Sequence, residues 1–129
     1  MRCTVDNLPK VLVVDDDPAI LEICSDLLQT EGYTVSVATN GQQALEQIRM
    51  DPPHVILMDI MMPVLDGVEA CRQVKANPAT AEIPVVLMSA RTNLTRQSQD
   101  LASADALVAK PFDIDHLLNT IHDLVGEDS

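Results

Sequence analysis

The feature that most restricts this chain is an alternation. Apolar runs of four or so residues are each followed by a stretch with helical periodicity. Val11-Leu12-Val13-Val14 comes first, and then Ile20, Ile23, Cys24, Leu27 and Leu28 recur at i, i+3, i+4, i+7 and i+8. Thr34 to Thr39 sets Val35 and Val37 against Ser36, as a one-sided strand does, ahead of a helix carrying Ala44, Leu45 and Ile48. Val55-Ile56-Leu57-Met58 precedes a helix with Ala70, Cys71 and Val74. Val85-Val86-Leu87-Met88 precedes a weak helix, Leu94 to Ala102, with little apolar surface. Ala106-Leu107-Val108 precedes a clean stripe of Ile114, Leu117, Leu118, Ile121, Leu124 and Val125.

Five βα units in series predict an α/β fold with a parallel sheet and helices on both faces. The first, third and fourth strands are apolar throughout, as central strands are. The second and fifth are one-sided or short, as edges are. A sheet order of 2-1-3-4-5 with right-handed crossovers satisfies both, the flavodoxin-like doubly wound arrangement. The chain reverses direction between strands 1 and 3, so the ligand crevice lies at their carboxyl ends. The helix ends are marked as well. Asp17, Asn40, Asp66 and Asp113 stand where N-caps belong, Pro18 suits a first helical residue, Gly32 supplies a stop, and Pro52-Pro53 closes the second helix.

Composition narrows the class. The 129 residues suit one domain, with a core near residues 10–125 and a short tail over residues 1–9. Eight basic against 20 acidic residues leave a formal charge of −12, which repels phosphates. Nucleic acid and anionic membranes are therefore excluded as direct partners, and basic surfaces or cations are favoured. No apolar run approaches the roughly 20 residues of a membrane span. Met1 to Asn7 lacks the apolar segment of a secretory signal. Cys3, Cys24 and Cys71 have neither pairing nor metal-ligand spacing. Cys24 and Cys71 fall on apolar faces and read as small core residues, and the expected compartment is a reducing cytoplasm.

The chemistry gathers at strand ends. Asp15, Asp16 and Asp17 follow strand 1, Asp59 follows strand 3, Ser89 follows strand 4 and Lys110 follows strand 5. Singly, Asp17 is a helix cap, Asp15 and Asp16 are loop acids, and Lys110 balances charge. Together, at one rim, carboxylates repel unless a cation joins them. Oxygen ligands this few favour Mg²⁺ before Ca²⁺, with places left for water and phosphate. A metal, a lysine and a hydroxyl suit a transferring phosphoryl group, and a carboxylate can be its nucleophile.

Four segments closely resemble the receiver domain of bacterial two-component response regulators. They are Val13-Val14-Asp15-Asp16-Asp17-Pro18, Leu57 through Gly67, Met88-Ser89-Ala90 and Ala109-Lys110-Pro111-Phe112. Order and spacing fit from about Lys10 to Val125. The resemblance implies that Asp59 accepts a phosphoryl group from a histidine kinase or a phosphotransfer protein. It implies Asp16 as a direct Mg²⁺ ligand, Asp15 acting partly through water, and Asp59 and the Met61 backbone carbonyl as the other protein ligands. Lys110 would pair with one phosphoryl oxygen and Ser89 would donate to another. Lys110-Pro111 resembles the family's cis peptide, and Pro63 and Gly67 resemble the turn residues after the acceptor. A downstream protein or effector domain would meet the face made by the fourth helix, fifth strand and fifth helix, and self-association on phosphorylation is a further expectation.

The chain departs from the family at Leu107, where an aromatic is usual, and at Ser103, where glycine is common. Met61 and Arg91 occupy positions that tune phosphoryl lifetime. Other classes fit less well. An aspartyl-nucleophile phosphatase wants a second Asp two residues on, where Met61 stands. A flavodoxin-like redox carrier wants aromatics around a flavin, and the chain has only Tyr33 and Phe112. A degenerate receiver would lack some of Asp15, Asp16, Asp59, Ser89 and Lys110.

Overall fold

The computed structural model describes residues 9–62, 64–89, 104–109 and 113–125, and each apolar run within them is a strand. The strands are β1 (Lys10–Val14), β2 (Thr34–Ala38), β3 (Val55–Asp59), β4 (Val85–Ser89) and β5 (Ala106–Ala109). They form one sheet of order β2-β1-β3-β4-β5, with every pairing parallel. The described helices are α1 (Pro18–Thr30), α2 (Gly41–Met50), α3 (Gly67–Ala76) and α4 (Ile114–Val125). The weak helix expected over Leu94 to Ala102 lies outside the described residues, so α4 is the final helix of the sequence. No helix among the described residues is long and apolar enough to cross a membrane.

The pleat divides each central strand between two cores, since successive side chains point to opposite faces. Leu12, Val14, Ile56, Met58, Val85 and Leu87 pack with Ala44 and Ile48 of α2 and Ala70, Cys71 and Val74 of α3. Val11, Val13, Val55, Leu57, Val86 and Met88 pack with Cys24 and Leu28 of α1 and Leu117 and Ile121 of α4. Burial on both faces is why β1, β3 and β4 carry continuous apolar text. Cys24 and Cys71 are fully buried, one in each core, as small core residues.

All four expected N-caps form. Asp17 accepts from Ala19 N–H at 3.0 Å, Asn40 from Gln43 N–H at 2.9 Å, Asp66 from Glu69 N–H at 2.8 Å and Asp113 from Asp115 N–H at 2.9 Å. Each satisfies a donor that the helix itself leaves without a partner. Gly32 ends α1 at φ +97. Its N–H donates to Gln29 and that of Tyr33 to Leu28, both at 3.0 Å, which is the Schellman pattern.

Three apolar residues expected in the core are not there. Ile23 is 48% exposed, because the buried stripe of α1 centres on Cys24 and Leu28. At 100° per residue, Ile23 stands roughly 120° round the helix from that centre. Leu21 packs on the core instead. Val37 is 44% exposed near the end of edge strand β2, where the buried residue is Ala38. Ile114 is 47% exposed in the first turn of α4, ahead of Leu117, the first buried residue of that helix.

Candidate functional site

Strand register brings the ends of four strands to one rim. Val14 pairs with Met58, Asp59 with Met88 and Ser89 with Ala109. Asp15 is the residue after β1, Asp59 the last of β3 and Ser89 the last of β4. Lys110 follows β5 directly in the chain; it lies outside the described residues, as do Pro63, Ala90, Arg91, Ser103, Pro111 and Phe112.

The rim buries polar groups that would ordinarily stay in water. Asp15 is 1%, Asp59 6% and Ser89 3% exposed, whereas Asp16 faces solvent. Buried carboxylates are costly unless hydrogen-bonded or joined by opposite charge. Asp15 is held through both its backbone and its side chain. Its N–H donates to the Ala38 carbonyl at 3.1 Å, and its Oδ1 accepts from Asp17 N–H at 3.0 Å. One carboxylate oxygen each from Asp15, Asp16 and Asp59 lie within 4.8 Å of one another. The structure thus brings together the three acids expected at the site and places Ser89 one strand away. Asp17 serves its helix and lies outside this cluster.

The loop after Asp59 is folded back on the strand it leaves. Ile60 N–H donates to Met88 O at 3.0 Å, extending the β3–β4 ladder by one residue. Gly67 N–H donates to Ile60 O at 2.8 Å, so the start of α3 rests on the end of β3. A Cβ on Gly67 would collide with the Asp59 carbonyl oxygen and lie 3.0 Å from the Asp59 carbonyl carbon and Ile60 Cα. Glycine is required here for close approach of two backbones. The loop lines an open cleft of about 410 Å³ with Asp16, Ile60, Met61, Met62 and Asp66. Met61 is 62% exposed there.

One residue of this neighbourhood escaped the sequence reading. Gly41, the first residue of α2, donates its N–H to Leu65 O in the loop at 3.1 Å. Its only trace in the sequence is a glycine in a first helical turn, where a better helix former would ordinarily stand.

The site can bind a hard cation through oxygens alone and present a carboxylate beside it. The sequence matches the model of a family described as the response regulator receiver domain over residues 11–122. It is 40% identical over 110 residues to the response regulator MprA of Mycobacterium ulcerans, which covers 84% of this chain and 47% of that protein. The chain therefore spans about half the length of the curated relatives it matches. Among solved structures, the fold is similar to the chemotaxis response regulator CheY4 of Vibrio cholerae, with a TM-score of 0.84 and 31% identity, covering 92% of this chain and 99% of that one. It is equally similar to the response regulator TrrA of Thermotoga maritima in complex with Mg²⁺ and BeF. There the TM-score is 0.84 with 30% identity, covering 91% of this chain and 99% of that one.

Proposed function

This chain belongs to the response regulator receiver domain family, and from that premise we propose that Asp59 is its phosphoacceptor in a two-component signalling system. The observation that carries the assignment is the cluster of Asp15, Asp16 and Asp59 oxygens within 4.8 Å, with Asp59 at the end of the central strand β3. An Asp59 carboxylate oxygen forms a P–O bond while the donor's P–N bond to a histidine imidazole breaks. The electron pair leaves with the nitrogen. Water later attacks the phosphoryl phosphorus, the P–O bond to Asp59 breaks with its electron pair staying on the carboxylate, and inorganic phosphate leaves.

The donor set fits Mg²⁺, because it is composed of oxygens and two of its three carboxylates are buried together. Asp15, Asp16, Asp59 and the Met61 carbonyl would hold it. When bound, the ion would supply positive charge between these acids and the phosphoryl oxygens. Asp15 is pinned by the Asp17 N–H, so its remaining oxygen is oriented with little freedom. Ser89 offers its hydroxyl from the adjacent strand end, and Lys110 neutralises a phosphoryl oxygen from the end of β5. The donor is a histidine kinase or phosphotransfer protein. The output is carried by a downstream protein or effector domain docking on the segment 94–102, β5 and α4. Residues 1–129 are read as one receiver domain acting in the cytoplasm.

Intact-mass measurement after incubation with a small acyl phosphate and Mg²⁺ tests the assignment. One added phosphoryl group is expected on the parent chain, and none on Asp59→Ala. A stable adduct of that size on Asp59→Ala moves the acceptor elsewhere.

A further inference from the structure

Gly41 opens α2, yet what it touches belongs to the loop after Asp59. A Cβ built on Gly41 would lie 2.5 Å from the Leu65 carbonyl oxygen and 3.1 Å from the Cβ atoms of Leu65 and Ala70. The nearest of these is backbone, which cannot rotate aside. The Gly41 N–H donates to that same Leu65 oxygen. At the end of the loop, Gly67 seats α3 on the end of β3: its N–H donates to Ile60 O, and a Cβ there would strike the Asp59 carbonyl. Val64, the residue before Leu65, is at φ +70. A β-branched residue at positive φ is a true outlier. Val64 is 79% exposed, so burial of its side chain does not offset the strain. A strained residue persists only where its surroundings over-determine it, and the contact next to Val64 in the chain is the one from Gly41 to Leu65.

We propose that Gly41 is a positioning residue for phosphotransfer: its contact with Leu65 locks the loop from Asp59 to Gly67, and with it Met61 and the acceptor, in the reactive arrangement. This rests on the reading of Asp59 as acceptor. The junction of β2 and α2 then helps to set the geometry of a site to which it contributes no ligand. An error of about 1 Å in such a site costs up to a hundredfold in rate.

The first N–H groups of a helix have no partner within it. Protection of the Gly41 amide from hydrogen exchange therefore reports the Leu65 contact directly, without metal or phosphodonor. Val64→Pro fixes φ near −65°, which the loop cannot accommodate, at a site exposed enough to leave the cores intact. It should speed Gly41 exchange and slow acyl-phosphate labelling of Asp59, each by about tenfold or more. Gly41→Ala should slow labelling comparably. Val64→Gly, which tolerates positive φ, should keep the parent's protection and rate. Ala44→Gly removes a buried methyl from the same helix and should lower the melting temperature at the parent's rate.

Val64→Pro and Gly41→Ala both labelling within about twofold of the parent would overturn the proposal, given the sensitivity expected of a positioned site. So would Ala44→Gly slowing labelling as much as Gly41→Ala, since the effect would then follow stability. If Gly41→Ala does not fold, Val64→Pro decides alone. If the parent chain itself takes no phosphoryl group at Asp59, the reading of the site fails, while the exchange comparison still decides whether Val64 and Gly41 are coupled.

Discussion

Replacing Gly67 by alanine tests how tightly α3 is seated on the end of β3. The added methyl would overlap the Asp59 carbonyl oxygen and stand 3.0 Å from the Asp59 carbonyl carbon and from Ile60 Cα. Carbon atoms in ordinary contact are about 3.5–4.0 Å apart, and the Asp59 oxygen stands closer than either carbon, so the start of α3 must withdraw by at least about 1 Å. All three obstacles are backbone atoms, and no rotamer change relieves them. Forcing volume into a close-packed site costs about 1–3 kcal/mol. The 2.8 Å bond from Gly67 N–H to Ile60 O stretches as well, a further loss of about 1 kcal/mol. The sum is about 2–4 kcal/mol, or a fall in Tm of roughly 8–16 °C for a domain of this size. Gly32→Ala is the matched control. A Cβ there meets nothing within 4 Å, and only the positive φ of +97 resists it, which costs about 1–2 kcal/mol. Urea unfolding monitored by far-UV circular dichroism gives both values on one scale. Gly67→Ala no more destabilising than Gly32→Ala would refute the packing argument.

Three further outcomes are expected. Mg²⁺ at about ten times its dissociation constant should add about 1.4 kcal/mol of stability by mass action, and Asp16→Asn should lose much of that gain; a melting temperature indifferent to millimolar Mg²⁺ and to its removal by chelator would count against the metal site. Lys75 donates to Ala81 O at 3.2 Å and Ile83 O at 2.8 Å and pairs with Asp105 at 2.7 Å, while Asp105 accepts from Val85 N–H. Lys75→Met strips α3 from the starts of β4 and β5 and should cost about 2–3 kcal/mol in denaturant unfolding; a loss under about 0.5 kcal/mol would place it among ordinary surface changes. Burial, and secondarily the Glu31 carboxylate, raise the Tyr33 phenol above its ordinary 10.0. The neutral ring's contribution is therefore complete below pH 10.0, where neither state loses the proton, and is lost as pH rises through the raised value. Tyr33→Phe should weaken the fall in urea midpoint between pH 9 and about pH 11, and an unchanged slope would show that Tyr33 is not its source.

The sequence by itself determined the order of the described elements, the parallel sheet and its strand order. These rest on local periods and on which strands are apolar on both faces, and such signals survive without tertiary contacts. Asp17, Asn40, Asp66 and Asp113 were legible as caps for the same reason: a cap bonds within two or three residues of itself. The acids at strand ends were legible because a parallel sheet carries every such end to one rim.

Tertiary structure decided the rest. Asp15 and Asp16 are the same residue type side by side and local pattern does not separate their burial, yet one is buried and the other exposed. The direction in which the chain leaves β1 separates them, and the Ala38 carbonyl on the neighbouring strand holds that direction. Ile23 satisfied the helical spacing but fell outside the stripe that the sheet covers, because periodicity defines a face without fixing how the helix rolls against its neighbours. Gly41 was silent because its partner, Leu65, lies in another loop and is joined to it only when α2 and α3 pack side by side. A glycine kept for close approach has no local signature, since the atom it must avoid belongs to a distant part of the chain.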